Sequence, residues 1–433
     1  MSLQSRSAPQ WNAEKGRWEW WYWASYETEP YGPYHSTSIS LTQYAQSSDG
    51  ENWEIPNLGL YEWQGSKNNN VACDPSEGHR TLYHIIRDEH EKEPSRRYKG
   101  LFGSKNRTLK VSPDGFDWTP VDAPSIPSQD ESHFTFDEQS GHYLALVKQK
   151  TDWGRSVWLS TSTDFIDWSE PELIFHSDKI DQTNRAQRLQ EVIDNPDYLS
   201  PPLVDDTDYI AEIYQMPIMP YEGIYIGFPV LFNPAGAIPP PQMNYTAINQ
   251  IELTVSHDLH RWERVANRDV FIGVDPWDGI NYGTAQNLLC GRPHIHANRE
   301  IWIYYNALRF RGHKALYEGH VDLDYFNDVS ALCLAKLRRD GFVSLDALNG
   351  SVITTPFAWQ GESLYVNAEI RGELRAELLD AETKTPLPGY QSIALQGNQL
   401  HGQLHWPAPP PAGKTICVKF TLIDTSLYAF WTR

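Results

Sequence analysis

The sequence predicts an all-β chain: a five-bladed β-propeller over residues 1–346, then a small C-terminal β-sandwich over 347–433. Three observations carry this. A turn motif recurs five times, aromatic and β-branched runs bounded by Gly, Asn and Asp precede each copy, and no long amphipathic helix stands out. At 433 residues the chain also exceeds one ordinary core, so two domains or a repeat-built domain with an appendage are expected.

Four copies of the motif read Ser-x-Asp-x-x-x-Trp: Ser47 to Trp53, Ser112 to Trp118, Ser162 to Trp168 and Ser256 to Trp262. A fifth, degraded copy runs from Arg338 through Asp340 to Ser344. Asp or Ser at a turn start bonds nearby backbone N–H groups, and Gly tolerates positive φ. The Trp then begins the next strand and covers the turn. The strand runs ahead of the copies are Gly16–Ser25, Arg80–Ile86, Gly141–Val147, Gly223–Phe228 and Glu300–Tyr305. The Asp-to-Asp spacing of 65, 50, 94 and 82 residues is uneven, which predicts long loops at one face. Such loops build pockets on rigid scaffolds. Residues 179–209 are the best helical or loop insertion, and Pro234–Pro241 reads as another loop. Beyond Asp346 come short alternating strands at 364–368 and 374–379, a bend at Pro407–Pro411, and a strand from Ile416.

With 40% apolar and 21% charged residues the chain can bury a core, which excludes wholesale disorder. The net charge of −20 repels phosphate backbones, so no nucleic-acid partner is expected. No run of 18 apolar residues exists to span a membrane. The start, Met1-Ser-Leu-Gln-Ser-Arg-Ser7, has no apolar region of a signal peptide, so a cytoplasmic protein or one exported with its signal removed is expected. Cys73, Cys290, Cys333 and Cys417 are widely spaced and read as buried thiols. His133, His294 and His296 are the candidate metal ligands, with the last two on one strand face. No third ligand matches them, so neither metal nor cofactor is expected.

In a propeller the first strand of each blade lines the central channel, and its start faces a funnel. The starts fall near Pro9–Asn12, Asn68–Asp74, Asp130–Thr135, Glu212–Met216 and Asp278–Gln286. Asp130, Glu212 and Asp278 are therefore the candidate catalytic carboxylates. Paired carboxylates are what glycosidic cleavage requires, one as proton donor and one to activate water or attack the sugar. Glu212 enters the apolar stretch Ile213-Tyr-Gln-Met-Pro-Ile-Met219, where desolvation raises a carboxyl pKa and suits an acid. Arg155, Asn70, His133, Tyr214, Glu222 and Tyr282 are the candidate substrate-binding residues. Arg155 could clamp a hydroxyl-rich or acidic ligand, and Glu222 reads as a hairpin-turn residue. The excess of 17 Trp and 23 Tyr fits both sugar stacking and packing between sheets.

The turn motifs, Pro94–Lys99, Gly154–Pro171, Glu212–Gly227 and Leu337–Ala347 together resemble uncharacterised bacterial relatives of five-bladed glycoside hydrolases of the invertase and arabinanase type. The resemblance spans nearly the whole chain. It implies a general-acid Glu on a middle blade, best matched by Glu212, and Asp residues on other blades, matched by strand position at Asp130 and Asp278. It departs in the first blade, where Ala8-Pro-Gln-Trp11 carries no carboxylate, and in lacking the Asn-Asp-Pro, Arg-Asp-Pro and Glu-Cys-Pro segments. The expectation is a glycosidase acting on a carbohydrate partner; the alternatives are a carbohydrate-binding propeller without catalysis and an interaction scaffold. The sequence leaves the oligomeric state unread.

Overall fold

The computed structural model describes residues 2–77, 82–241, 243–407 and 412–433. Arg80 and Thr81 of the second strand run, and residues 408–411 of the C-terminal bend, lie outside the described residues. The described chain is nearly all β, with one α-helix, Lys179–Asp194, inside the 179–209 insertion. Among the described residues no helix is long and apolar enough to cross a membrane. The chain divides into two compact units, residues 1–293 with 303–335, and residues 294–302 with 336–433.

In the first unit, antiparallel four-stranded sheets follow one another along the chain. The first is a hairpin of Arg17–Pro30 with Ser36–Ser47, flanked on its free side by Ser2–Gln4 and Gln10–Asn12. The second runs Leu82–Arg87, Tyr98–Phe102, Thr108–Ser112 and Thr119–Pro120 in chain order. The third runs Ser132–Asp137, His142–Thr151, Gly154–Ser162 and Glu172–Phe175. In the fourth, each of the first three strands breaks in two: Glu212–Gln215 and Ile218–Tyr221, Ile224–Gly227 and Val230–Ile238, Asn244–Ile251 and Thr254–Ser256. Trp262–Arg264 completes it. Gln286–Leu289 and the parts of two further strands within this unit, 303–308 and 330–335, follow, joined to the fourth sheet by one parallel pairing, Asn249 with Gln286.

Alternation explains how the sheets stack. On His142–Thr151, Tyr143, Ala145 and Val147 pack with Ile86, Leu101, Leu109 and Val111 of the second sheet. The intervening Leu144 and Leu146 pack with Ile213, Met216, Ile218 and Leu231 of the fourth. A strand buried on both faces shows no polar alternation, which is why these runs read as continuously apolar. Trp21 and Tyr44 likewise pack on Leu82, Ile85, Tyr98 and Phe102. Trp20 lies 5.2 Å from Tyr304, whose hydroxyl donates to Gly50 O at 2.8 Å, so the first sheet also touches strand Glu300–Leu308.

The four intact turn motifs share one hydrogen-bond pattern. Each Ser Oγ accepts from the N–H three residues on, at Gly50, Gly115, Phe165 and Leu259. Each Asp Oδ1 accepts from the N–H groups two and three residues beyond it. The residue after Asp has φ between 65° and 85° in all four. At Gly115 a Cβ would also lie 2.4 Å from the Trp21 ring. Gly115→Ala should therefore destabilise the protein by about 2 kcal/mol or more, since left-handed strain alone costs roughly 1–2 kcal/mol. Thermal denaturation checks this, and an unchanged midpoint would refute the packing argument.

The second unit holds one six-stranded sheet, in which Leu364–Asp380 and Lys414–Thr432 pair along most of their length. The sequence suggests separate strands at 364–368 and 374–379; they are one strand of 17 residues. Gly372, between the two, sits at a register shift where a Cβ would lie 2.5 Å from Ile423 O. The chain bends there without turning back. Alternate residues Leu364, Val366, Ala368 and Ile370, then Leu374, Ala376 and Leu378, bury against Ile416, Val418, Phe420 and Leu422.

Candidate functional site

A register effect builds the site. The hairpin turning between Thr151 and Gly154 pairs Lys148 with Val157 and Lys150 with Arg155. Directly paired residues share a face, so Lys148 and Arg155 continue the stripe of Leu144, Leu146, Val157 and Leu159 that packs on the fourth sheet. The apolar stripe thus ends in two cations, and both find carboxylates. Lys148 Nζ lies 2.6 Å from Asp130 Oδ1, just before the first strand of the same sheet. Arg155 donates its backbone N–H to Glu212 Oε1 at 3.0 Å, and its Nε lies 3.2 Å from Oε2. Glu212 begins the first strand of the next sheet.

Gly154 makes this approach possible. Its φ is +75°, and a Cβ there would stand 2.4 Å from Glu212 Oε1 and 2.7 Å from Cγ. Only glycine meets both demands.

Aromatic rings floor the cluster. Tyr214 and Phe232 stack with centroids 5.7 Å apart, and Phe232 pairs with Glu212 in register. Lys148 Nζ lies 4.5 Å from the Tyr214 centroid, and Arg155 lies 4.7 Å from that of Phe232. Deeper in, Arg6 donates to Glu131 through Nε and through Nη2, the latter at 2.7 Å, with both side chains almost fully buried. Arg107 lies 4.0 Å from the Tyr83 centroid and donates to Ser132 Oγ and to the carbonyls of Gly103, Gln129 and Asp130.

Electrostatics sort these groups. The Asp130 side chain is 58% exposed, and that of Lys148 only 3%. Partial burial opposes ionisation of Asp130, but the attraction and hydrogen bond of Lys148, the Arg155 charge and the Glu131 N–H together hold its carboxyl at about 2. Burial pushes the Lys148 ammonium down to about 8, against the pull of Asp130 and Glu131. Asp130 is thus ionised throughout the neutral range, and Lys148 has a proton to lose just above it.

The remaining candidates lie apart. Asp278 is exposed and accepts the N–H groups of Ile280 and Asn281 at 2.8 and 2.7 Å, as the cap of its own turn. Asn70 is buried in a loop before the second sheet, donating to the Tyr22 hydroxyl and Tyr44 O. That sheet starts at Leu82, so the 68–74 stretch does not lead its first strand. His133 is fully buried, and burial with the charge of Arg292 holds its imidazole at about 3, neutral in the core. Glu222 sits exposed at the tip of the Tyr221–Ile224 hairpin with φ +47°, at the far end of the strands that begin at Glu212. Tyr282 donates to Asp328 beneath the Arg309 guanidinium. His296 stacks on Trp302, with centroids 3.8 Å apart. Among the described residues no group of three or more His, Cys, Asp or Glu is placed to hold a metal. Of the nine candidates, the cluster contains Asp130, Glu212, Arg155 and Tyr214. Sequence reasoning missed Lys148, Glu131, Arg6, Arg107 and Phe232. Lys148 left a trace, because a cation replaces the next apolar residue in the Leu144, Leu146 alternation.

No family model matches this chain, and no curated protein does. Solved structures with some likeness include an N-acetylgalactosamine deacetylase from F. plautii, at 13% identity and TM-score 0.43, covering 79% of this chain and 89% of that one. A glycoside hydrolase family 43 arabinoxylan arabinofuranohydrolase from Bacillus subtilis has 11% identity and TM-score 0.38, covering 99% and 96%. The structural neighbours extend to glycoside hydrolase family 32: a β-fructofuranosidase from Bombyx mori has 9% identity and TM-score 0.41, covering 99% and 90%.

Proposed function

We propose that the protein is a glycosidase whose active site is the Asp130–Glu212 cluster, built on a five-bladed propeller. The observation that carries this is that two carboxylates, 82 positions apart and leading different sheets, each pair with a cation of one hairpin. The propeller reading is supported by bonds linking the leading segments of successive sheets. His84 bridges Arg6 O and Ser132 Oγ at 2.8 and 2.7 Å, and Gln215 donates to Leu289 O at 2.8 Å. Residues 1–346 would form the propeller, and 347–433 would form two layers by folding their sheet over its shared core.

In this mechanism Glu212 protonates the glycosidic oxygen, and Asp130 activates water or stabilises positive charge at the anomeric carbon. Arg155 and Lys148 position the two carboxylates, and Tyr214 with Phe232 underlies the pair. Asp278 has no part, since its carboxylate is committed to its own turn. A second reading, carbohydrate binding without hydrolysis, is favoured by the Arg155–Glu212 ion pair, because both carboxylate oxygens are already engaged by Arg155. The segment between the first sheet's two short strands also supplies a cation, Arg6, and no carboxylate.

Screening the purified protein against aryl glycosides and plant and bacterial glycans decides between them. Catalysis predicts turnover that Asp130→Asn abolishes, and binding without turnover establishes the second reading. Where there is turnover, kcat should fall above about pH 8, as Lys148 loses the proton that pins Asp130. In Lys148→Gln that alkaline limb should vanish, and a limb persisting at the same pH would remove Lys148 from the site.

A further inference from the structure

We propose that the cations beside Glu212 form a subsite for an oxyanion, supplied either as the carboxylate of an acidic sugar or as free phosphate. The inference rests on this cluster being the substrate site proposed above, and it adds the chemical class of what binds there.

The argument begins with charge. Residues 294–302 and 336–433 contain equal numbers of acidic and basic residues, so the net charge of −20 belongs to the first unit. A unit that acidic repels anions, yet its cluster inverts the sign. Arg6, Lys148 and Arg155 hold Glu131, Asp130 and Glu212, and Arg107 and Arg311 add two further guanidinium groups, by Asp130 O and by the Phe232 ring. Three of these cations have carboxylate partners, as Arg6 with Glu131, Lys148 with Asp130 and Arg155 with Glu212. Arg107 and Arg311 have none among the described residues.

Arg107 spends its donors on Ser132 Oγ and three backbone carbonyls, which accounts for its place in the structure. Arg311 is different. It is half-buried, held by Tyr245 O at 3.3 Å and Asn244 Oδ1 at 2.9 Å, and its guanidinium lies 5.3 Å from the Phe232 centroid. The Arg155 guanidinium lies 4.7 Å from the same ring. Arg155 Nη1 is buried without a hydrogen-bond partner, although Nε and the backbone N–H of the same residue hold Glu212. An orphaned guanidinium donor, with a second guanidinium that has no carboxylate partner over the same ring, is an unfavourable resting arrangement. A carboxylate or a phosphate offers paired oxygen acceptors, the geometry an arginine fork matches. A neutral sugar hydroxyl satisfies the donor and leaves the charge.

Calorimetric titration with galacturonate, inorganic phosphate and glucose at matched ionic strength tests this. At least one anion should bind about tenfold or more tightly than glucose, with affinity falling as NaCl rises. Arg311→Met should weaken that anion about tenfold and leave glucose binding unchanged. Phosphate alone binding assigns the subsite to free phosphate, galacturonate alone assigns it to the sugar carboxylate, and both binding assigns the shared oxyanion chemistry. Should Arg311→Met fail to fold, Arg311→Lys and the salt dependence of the wild type carry the test. Anions binding no better than glucose, or a salt-independent affinity, would overturn the proposal. Because the readout is binding, it stands apart from catalysis: Glu212→Gln retaining hydrolysis would sink the enzymatic mechanism and leave the anion result intact.

Discussion

Glu212→Gln should lower the rate of glycoside hydrolysis by about 10²-fold or more, the range for losing a general acid, with the larger loss on poorer leaving groups. Glutamine keeps the shape and can still accept the Arg155 N–H now received by Oε1 at 3.0 Å, so the fold should be undisturbed. A companion variant tests the geometry itself. Gly154→Ala retains the carboxylate but places a methyl group 2.4 Å from Glu212 Oε1 and 2.7 Å from its Cγ, on a backbone with φ +75°. It should reproduce much of the kcat loss, because misplacement by about 1 Å costs up to 10²-fold. Wild-type rates in Glu212→Gln would remove Glu212 from the mechanism. A silent Gly154→Ala alongside an inactive Glu212→Gln would show that the hairpin does not position the carboxylate.

Glu252→Leu should cost about 3–5 kcal/mol of stability, the range for breaking a buried ion pair from one side. Glu252 is fully buried, with Arg188 at 2.7 Å and Arg264 also paired to it. Burial pushes its carboxyl up, while Arg264 and Arg188 pull it down. The two arginines belong to a wider network: Arg264 also reaches Asp181 at 2.8 Å, and Arg268 holds Asp181 and Asp178 at 2.8 and 2.7 Å. Asp178 in turn caps helix Lys179–Asp194 in a reciprocal capping box with Asp181. Removing Glu252 strands positive charge beneath the helix that joins the third sheet to the strand bearing Glu212. Chemical denaturation should show a lower midpoint with an unchanged slope, and hydrogen exchange in 179–194 should accelerate. An unaltered midpoint would mean that the arginines find other partners.

The parts legible in the sequence share one property, which is that their causes lie within a few residues. The Ser-x-Asp turns bond to their own N–H groups two and three positions away, so four copies announced four identical structures. Glu222 reads as a turn residue for the same reason. The misplaced parts depend on partners far along the chain. Asn68–Asp74 looks like the lead-in to a strand but is held by Tyr22 and Tyr44 from the sheet before it. Asp278 sits where a channel strand was expected to start, yet its nearest N–H groups claim it first.

By itself the sequence determined the β class, the turn geometry and Glu212 as an acidic side chain entering an apolar stretch, because local hydrogen bonding and alternation need no distant partner. Tertiary structure decided which charges meet. Glu131 is matched to Arg6 from 125 positions away, and Asp130 and Glu212 are gathered by cations on a hairpin that belongs to one sheet and reaches the next. A charge takes its chemical character from whatever lies within a few ångströms of it, and those neighbours exist only once the sheets have stacked.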